Sequence, residues 1–142
     1  MKAISLFILI SMLMLSCTPN PEAIEYGSDM CHYCKMTIVD QQHGSEVVTS
    51  KGKVYKFDAI ECMIPYVKQN SDKEFAFILV NDYAQPSKLV DAKSSHYLVS
   101  EALPSPMGGF LTAFSQEQEA QKVREAKGGD LFTWNEITNQ YN

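Results

Sequence analysis

Twice along this chain, two short β-patterned runs are followed by a helical run and then by another β-patterned run, and that order restricts the fold more than any other feature. In the first pass, Glu46-Val47-Val48-Thr49 and Lys53-Val54-Tyr55-Lys56-Phe57 flank Ser50-Lys51-Gly52, which predicts a hairpin with Gly52 in its turn. Asp58 and Glu61 have capping-box spacing, so a helix is expected to begin at Asp58. Ile60, Met63, Ile64 and Val67 then recur at i, i+3, i+4 and i+7 as one apolar stripe, and Pro65 inside it predicts a kink or an early stop. Phe75-Ala76-Phe77-Ile78-Leu79-Val80 is an unbroken apolar run of strand length, expected to be buried.

In the second pass, Tyr97-Leu98-Val99 and Phe110-Leu111-Thr112-Ala113-Phe114 read as hairpin arms around the turn-rich loop Pro104-Ser105-Pro106-Met107-Gly108-Gly109, which carries one thioether at its tip. Ser115 with Gln118 suggests a second capping box, and the helix it opens is expected to reach Lys127 and stop at Gly128-Gly129. Leu131-Phe132-Thr133-Trp134 is a short apolar piece that closes the pattern. The expected class is α+β, with two small ββαβ units at roughly 36–83 and 88–138 forming a compact domain. Residues 81–95 read as a polar connector with a short extended piece at Leu89-Val90, and Thr37-Ile38-Val39 as a short strand. Tyr55, Phe57, Phe75, Phe77 and Trp134 are expected in the core.

The N-terminus has a different character. One basic residue, Lys2, precedes a mostly apolar run over 3–15 and then Ser16-Cys17, the pattern of a secretory signal rather than a membrane span, which needs about 20 residues. Met14-Leu15-Ser16-Cys17 resembles a lipoprotein box, which makes Cys17 the expected acylation site and membrane anchor. Thr18-Pro19-Asn20-Pro21-Glu22-Ala23 follows as a polar, proline-containing tether. Without Lys2 the 12 Lys and Arg fall to 11 against 17 Asp and Glu, a formal charge of −6 with His neutral. That balance excludes the basic footprint that nucleic-acid binding requires. Three cysteines remain after Cys17, namely Cys31, Cys34 and Cys62, and an odd count in an oxidising compartment leaves at least one thiol outside any intrachain disulfide.

Met30-Cys31-His32-Tyr33-Cys34-Lys35-Met36 packs four sulfurs and an imidazole into seven residues. Soft, polarisable sulfur ligands select Cu(I) over harder divalent ions. In an extended segment Cys34 and Met36 would point to the same side, and Cys31 would reach the same ion if the chain turned between the two cysteines. Cys62 lies beside the apolar stripe of its helix and reads as a buried thiol first and a ligand second. His32 and His96 could reach such a site, although a surface or hydrogen-bonded histidine is the commoner case, and His43, next to Gly44, reads as a turn residue.

Two other chemistries fit parts of this pattern. Cys31-His32-Tyr33-Cys34 has the form of a thiol–disulfide exchange motif, although such motifs open a helix, where the dipole lowers the thiol pKa, and here a strand-like run follows. A structural zinc site from Cys31, Cys34, Cys62 and one of His32, His43 or His96 is the other, although a second Cys-x-x-Cys or Cys-x-x-His pair is missing. No nucleotide loop, catalytic triad or paired carboxylates are present, so the chain is not expected to be an enzyme.

Cys31-His32-Tyr33-Cys34-Lys35-Met36-Thr37-Ile38, Lys56-Phe57-Asp58-Ala59-Ile60-Glu61-Cys62-Met63 and Ser105-Pro106-Met107-Gly108-Gly109-Phe110 together resemble the NosL family, over nearly all of the chain beyond the leader. The resemblance implies a small, periplasm-facing lipoprotein that carries Cu(I) toward assembly of the copper–sulfur centre of nitrous oxide reductase. Its partners would be the copper-receiving apo-enzyme or its assembly machinery, and the membrane through the lipid. It also implies a pair of ββαβ units. Cys34 and Met36 occupy the family's C-x-M core, and Met107 matches the loop that supplies a further Met ligand. The expected Cu(I) ligands are thus Cys34, Met36, Met107 and Cys31, with Met30, His32 and Cys62 as additional candidates. The expected layout is a signal peptide over 1–16, anchor and tether over 17–25, and a copper-binding domain over 26–142.

Overall fold

Residues 18–141 are described by a computed structural model, so the leader and Cys17 lie outside the described residues. β1 (Ser45–Thr49) is the pivot of the first sheet. It pairs antiparallel with β2 (Val54–Phe57) on one side and with β3 (Phe75–Asp82) on the other, with Val47 opposite Tyr55 and Ile78. Helix α1 (Ile60–Gln69) connects β2 to β3, and Ile60, Met63 and Ile64 of the expected stripe are fully buried beneath it. The second half repeats this wiring. β5 (His96–Val99) is central, antiparallel to β6 (Leu111–Phe114) and to β7 (Asp130–Phe132), and α2 (Glu117–Lys127) connects β6 to β7. Both halves are therefore ββαβ units whose first strand sits in the middle, as the repeated order of patterns anticipated.

Several local expectations give way to tertiary contacts. α1 starts at Ile60 with Ala59 as its cap and no side-chain capping bond, so Asp58 does not open it. The helix also runs through Pro65 to Gln69 instead of stopping there. α2 has Gln116 at its cap, because the Ser115 hydroxyl donates to Asp82 Oδ2 across the domain. Its other end is as expected, at Lys127 before Gly128. Thr37-Ile38-Val39 forms no strand and contributes only a single bridge, Met30 opposite Thr37. The supposed connector holds β4 (Gln85–Asp91), an edge strand on β3, where Pro86 is tolerated because one side of an edge strand needs no ladder donor. β3 is buried only from Ile78 onward, and Phe77 is an exposed aromatic rather than a core one. After β7 the chain forms a further helix, α3 (Trp134–Gln140), capped by a full Thr133–Glu136 capping box.

One continuous apolar core joins the halves. Ile24, Cys31, Ile38, Val47, Phe57, Ile60, Cys62, Met63, Ile78 and Val80 from the first half pack with Tyr97, Leu111, Ala113 and Ile137 from the second. Leu98, Leu103, Phe114 and Ala120 form a smaller cluster with α2. Cys31 and Cys62 are thus core residues, and Cys34 packs against that core from its partly buried position.

Candidate metal centre

The sulfur segment is a loop held at both ends by its own backbone. Gly27 N–H donates to Ile38 O at 2.8 Å and Ile38 N–H to Asp29 O at 2.9 Å. Inside that ring Cys31 N–H donates to Met36 O at 2.8 Å and Lys35 N–H to Cys31 O at 3.0 Å. The second of these bonds closes the turn that lets Cys31 and Cys34 approach. Lys35 lies at φ 65°, in the left-handed region where a non-glycine residue costs about 1–2 kcal/mol. Cys34 and Met36 are therefore not alternate residues of an extended segment, and the same-face argument for that pair fails.

β2 fastens this loop to the body. Lys56 O accepts from His32 N–H at 2.8 Å, while Lys56 Nζ sits 2.8 Å from Asp29 Oδ2 and donates to Ala23 O at 2.7 Å. The Asp29 carboxyl is held below its ordinary value against its burial, by the Lys56 ammonium and by Glu25 N–H. The His32 ring packs on Tyr55, Tyr66 and Phe57 at 4.6, 5.3 and 6.3 Å between centroids. Burial against these rings lowers the His32 pKa, with Lys35 and Lys53 adding to the effect.

The turn at one side and the first turns of α1 at the other bring three thiols together. The Sγ atoms of Cys31, Cys34 and Cys62 all lie within 4.8 Å of one another, and none is in a disulfide. Cys31 and Cys62 are fully buried, whereas Cys34 is partly open to solvent. The three share charge unequally. The Cys31 thiol is pulled far below the usual range, first by the hydrogen bond from the Cys62 thiol, then by the backbone N–H groups of Asp58 and Cys34, against its burial. The latter bond, Cys34 N–H to Cys31 Sγ, is 3.4 Å long. The same sharing, with burial, pushes the Cys62 thiol far up, and burial raises that of Cys34. The direction of these shifts favours a single thiolate on Cys31, with protons kept on the Cys62 and Cys34 thiols. A soft cation replaces those two thiol protons most readily, because thiolate ligation is strongest for soft ions.

The remaining expected ligands are placed as follows. Met30, Met36 and Met107 are exposed, at 60, 54 and 43 %. Met107 stands in the β5–β6 loop, which is pinned to α1. Ser105 Oγ donates to Glu61 Oε1, and Gly109 lies so close that a Cβ there would sit 2.8 Å from Glu61 Oε1 and 2.7 Å from the Tyr141 hydroxyl. No histidine, aspartate or glutamate joins the three sulfurs among the described residues. His43 is buried between Asp40, at 3.0 Å from Nδ1, and the Thr112 hydroxyl, at 3.3 Å from Nε2, and His96 lies on β5 opposite Phe114. A closed zinc site thus lacks the fourth Cys or His it normally has. The thiol–disulfide reading loses its helix, since Cys31 lies in a loop and the next helix begins only at Ile60.

The structure buries Cys62 as the sequence suggests and also places its sulfur with those of Cys31 and Cys34, while sequence reasoning missed Glu61 as a tie between α1 and the β5–β6 loop. The legible signal for Cys62 was its place in the first turns of a helix directly after a strand that could carry the loop. For Glu61 no local signal existed, since its spacing from Asp58 fits a cap equally well.

Comparison with known proteins gives a consistent picture. The NosL family model matches residues 23–142. A copper-binding lipoprotein NosL from Stutzerimonas stutzeri is 29% identical over 120 residues, covering 79% of this chain and 63% of that protein, so the chain spans somewhat under two thirds of its length. The crystal structure of the copper chaperone NosL from Shewanella denitrificans superposes with a TM-score of 0.71 at 22% identity, covering 82% of this chain and 94% of that one, which establishes a shared fold.

Proposed function

Because this chain belongs to the NosL family, we propose that it is a copper chaperone, which holds one Cu(I) ion at its sulfur centre and passes it to a copper-requiring apo-enzyme or that enzyme's assembly machinery. The observation that carries this reading is the meeting of three thiol sulfurs within 4.8 Å, one of them partly exposed. Thiolates retain a soft ion in competition with water and with harder ligands, while one open side lets a recipient's ligands approach. The names of the relatives, copper-binding lipoprotein and copper chaperone, support it.

The ligand set of the proposal is Cys34 and Met36 of the C-x-M core with Cys31 and Met107, and Cys62 as a further thiolate below them. Thioethers bind without losing a proton and release the ion more readily than thiolates, which suits a carrier. The recipient would be the maturing copper–sulfur enzyme of nitrous oxide reduction. The chain performs no turnover in this role. It would work outside the cytoplasm on a lipid anchor at Cys17, and no helix among the described residues is long and apolar enough to cross a membrane.

Residues 18–142, kept reduced, should bind about one Cu(I) per chain and essentially no Cu(II). Titration against a colorimetric Cu(I) chelator measures this. A stoichiometry near zero, or displacement of copper by zinc, overturns the proposal.

A further inference from the structure

The β5–β6 loop has no regular structure of its own, and its Met107 side chain faces solvent. A thioether on such a loop meets a metal centre only if something fixes the loop against it. The fixing contacts converge on one residue. Glu61 is nearly buried, at 8 % exposure, and immediately precedes Cys62 in the first turn of α1. Its Oε1 accepts from the Ser105 hydroxyl, which is itself buried at the near end of the loop. Gly109, at the far end, lies against the same carboxylate, with no space for a side chain between Glu61 and the Tyr141 hydroxyl. One carboxylate thus bonds the near end of a loop whose tip is Met107 and packs closely against its far end.

This device is expensive for a loop clamp. Glu61 Oε2 is buried with no hydrogen-bond partner among the described residues. Burying a carboxylate oxygen unpaired costs free energy that an apolar side chain of similar volume would not. Stability alone therefore does not account for a Glu here. Its position does, because the residue that clamps the loop is the chain neighbour of a thiol in the sulfur group.

We propose that Glu61 is a positioning residue, which holds the 104–109 loop by Ser105 and Gly109 so that the Met107 thioether is presented to the Cys31, Cys34 and Cys62 sulfurs. This rests on the reading of Met107 as a copper ligand. Glu61 itself does not touch the ion. Its effect on copper runs through Met107 alone, and that separates it from a residue that merely supports the fold.

The test is a double-mutant cycle on residues 18–142, read as Cu(I) affinity by chelator competition and as the count of sulfur neighbours by X-ray absorption. Met107→Ala should lower affinity roughly tenfold, about 1.4 kcal/mol, with the loss of one sulfur neighbour. Glu61→Ala should reproduce both changes. In the Met107→Ala background Glu61→Ala should add nothing to either. Glu61→Gln keeps an acceptor for the Ser105 hydroxyl and should restore the sulfur count. Ser105→Ala, which removes a single oxygen and keeps the Glu61 side chain in place, should lower affinity severalfold and serves if Glu61→Ala does not fold. An equal loss on adding Glu61→Ala or Ser105→Ala to Met107→Ala overturns the positioning role while leaving Met107 a ligand. Unchanged affinity and sulfur count in Met107→Ala overturns the ligand reading, and the positioning role with it.

Discussion

At the scale of single residues, burial divides the three thiols into different kinds of ligand. Cys34 is partly exposed, so Cys34→Ser removes a sulfur ligand of the proposed site while leaving the packing of the metal-free domain almost untouched. Cu(I) affinity should fall by at least roughly a hundredfold, about 2.7 kcal/mol, with the melting temperature of the metal-free protein held. Cys31→Ser should weaken binding less, since Cys62 remains as a second buried sulfur, but should also destabilise the metal-free form, because a hydroxyl then replaces a thiol inside the core. Chelator competition and thermal unfolding of the two variants check this, and equal affinity losses would instead mean a site with two equivalent thiolates. The thiols were legible as chemistry from the Met30–Met36 spacing, because soft ligands are recognisable by type. Their geometry was not, because it depends on Lys35 adopting a left-handed conformation that no residue preference announces, and on α1 delivering Cys62 from a distance of about thirty residues.

At the scale of elements, the second half is held by features that sequence patterns record incompletely. Thr133 and Glu136 carry the spacing of a capping box, yet the run Leu131-Phe132-Thr133-Trp134 reads as one apolar piece, which hides the helix beginning inside it. Thr133→Ala should cost about 1 kcal/mol in chemical denaturation, since it removes the cap of a seven-residue helix that has few other local supports. Gly129 sits at φ 103°, where a Cβ would overlap the Val99 carbonyl oxygen and crowd Ser100. Gly129→Ala should therefore destabilise by more than about 2 kcal/mol, well beyond the usual Gly-to-Ala change, and a neutral result in urea unfolding would contradict this packing of β7 on β5. The elements read correctly, the Gly52 hairpin, the α1 stripe and the end of α2, are those whose signals are local periodicity and turn chemistry. Those misread, Asp58 and Ser115 as caps and Thr37-Ile38-Val39 as a strand, are places where a side chain or segment finds a better partner elsewhere in the fold. Ser115 bonds Asp82, and the Asp58 carboxyl accepts from the Val39 backbone N–H, while burial and the neighbouring Cys31 charge raise its pKa.

At the scale of the whole molecule, the acidic chain carries a buried carboxylate, Glu46 in the middle of the first sheet, with Oε1 accepting from Glu22 N–H at 3.0 Å and Oε2 unpartnered. Burial raises its pKa in the folded state above the ordinary 4.5. A carboxyl so raised favours the folded state below its unfolded pKa and loses that contribution as pH rises through the folded value. Glu46→Gln should thus stabilise the metal-free protein near pH 7 by on the order of 1 kcal/mol, with the advantage vanishing toward pH 4.5. Denaturant midpoints at the two pH values decide it, and a difference independent of pH would assign the effect to packing. Cys17→Ala should release the protein into the soluble fraction or block its processing, as fractionation and electrophoretic mobility would reveal, because the proposed anchor is the lipid on that cysteine.

The same Lys56 that steadies the sulfur loop also grips Ala23, and Glu22 borders, with Met30 and His32, a cavity of about 270 Å³. The chain arriving from the proposed lipid is thus tied down beside the metal-binding loop. Residues 18–21 link Cys17 to that knot, with Pro19 beside Gly52 of the β1–β2 turn, and the stretch spans about 17 Å when fully drawn out. On the proposed acylation of Cys17, a link that short would keep the metal-binding loop near the bilayer surface. Its handover would occur at lipid headgroup level, to a recipient that comes to the bilayer or already resides there.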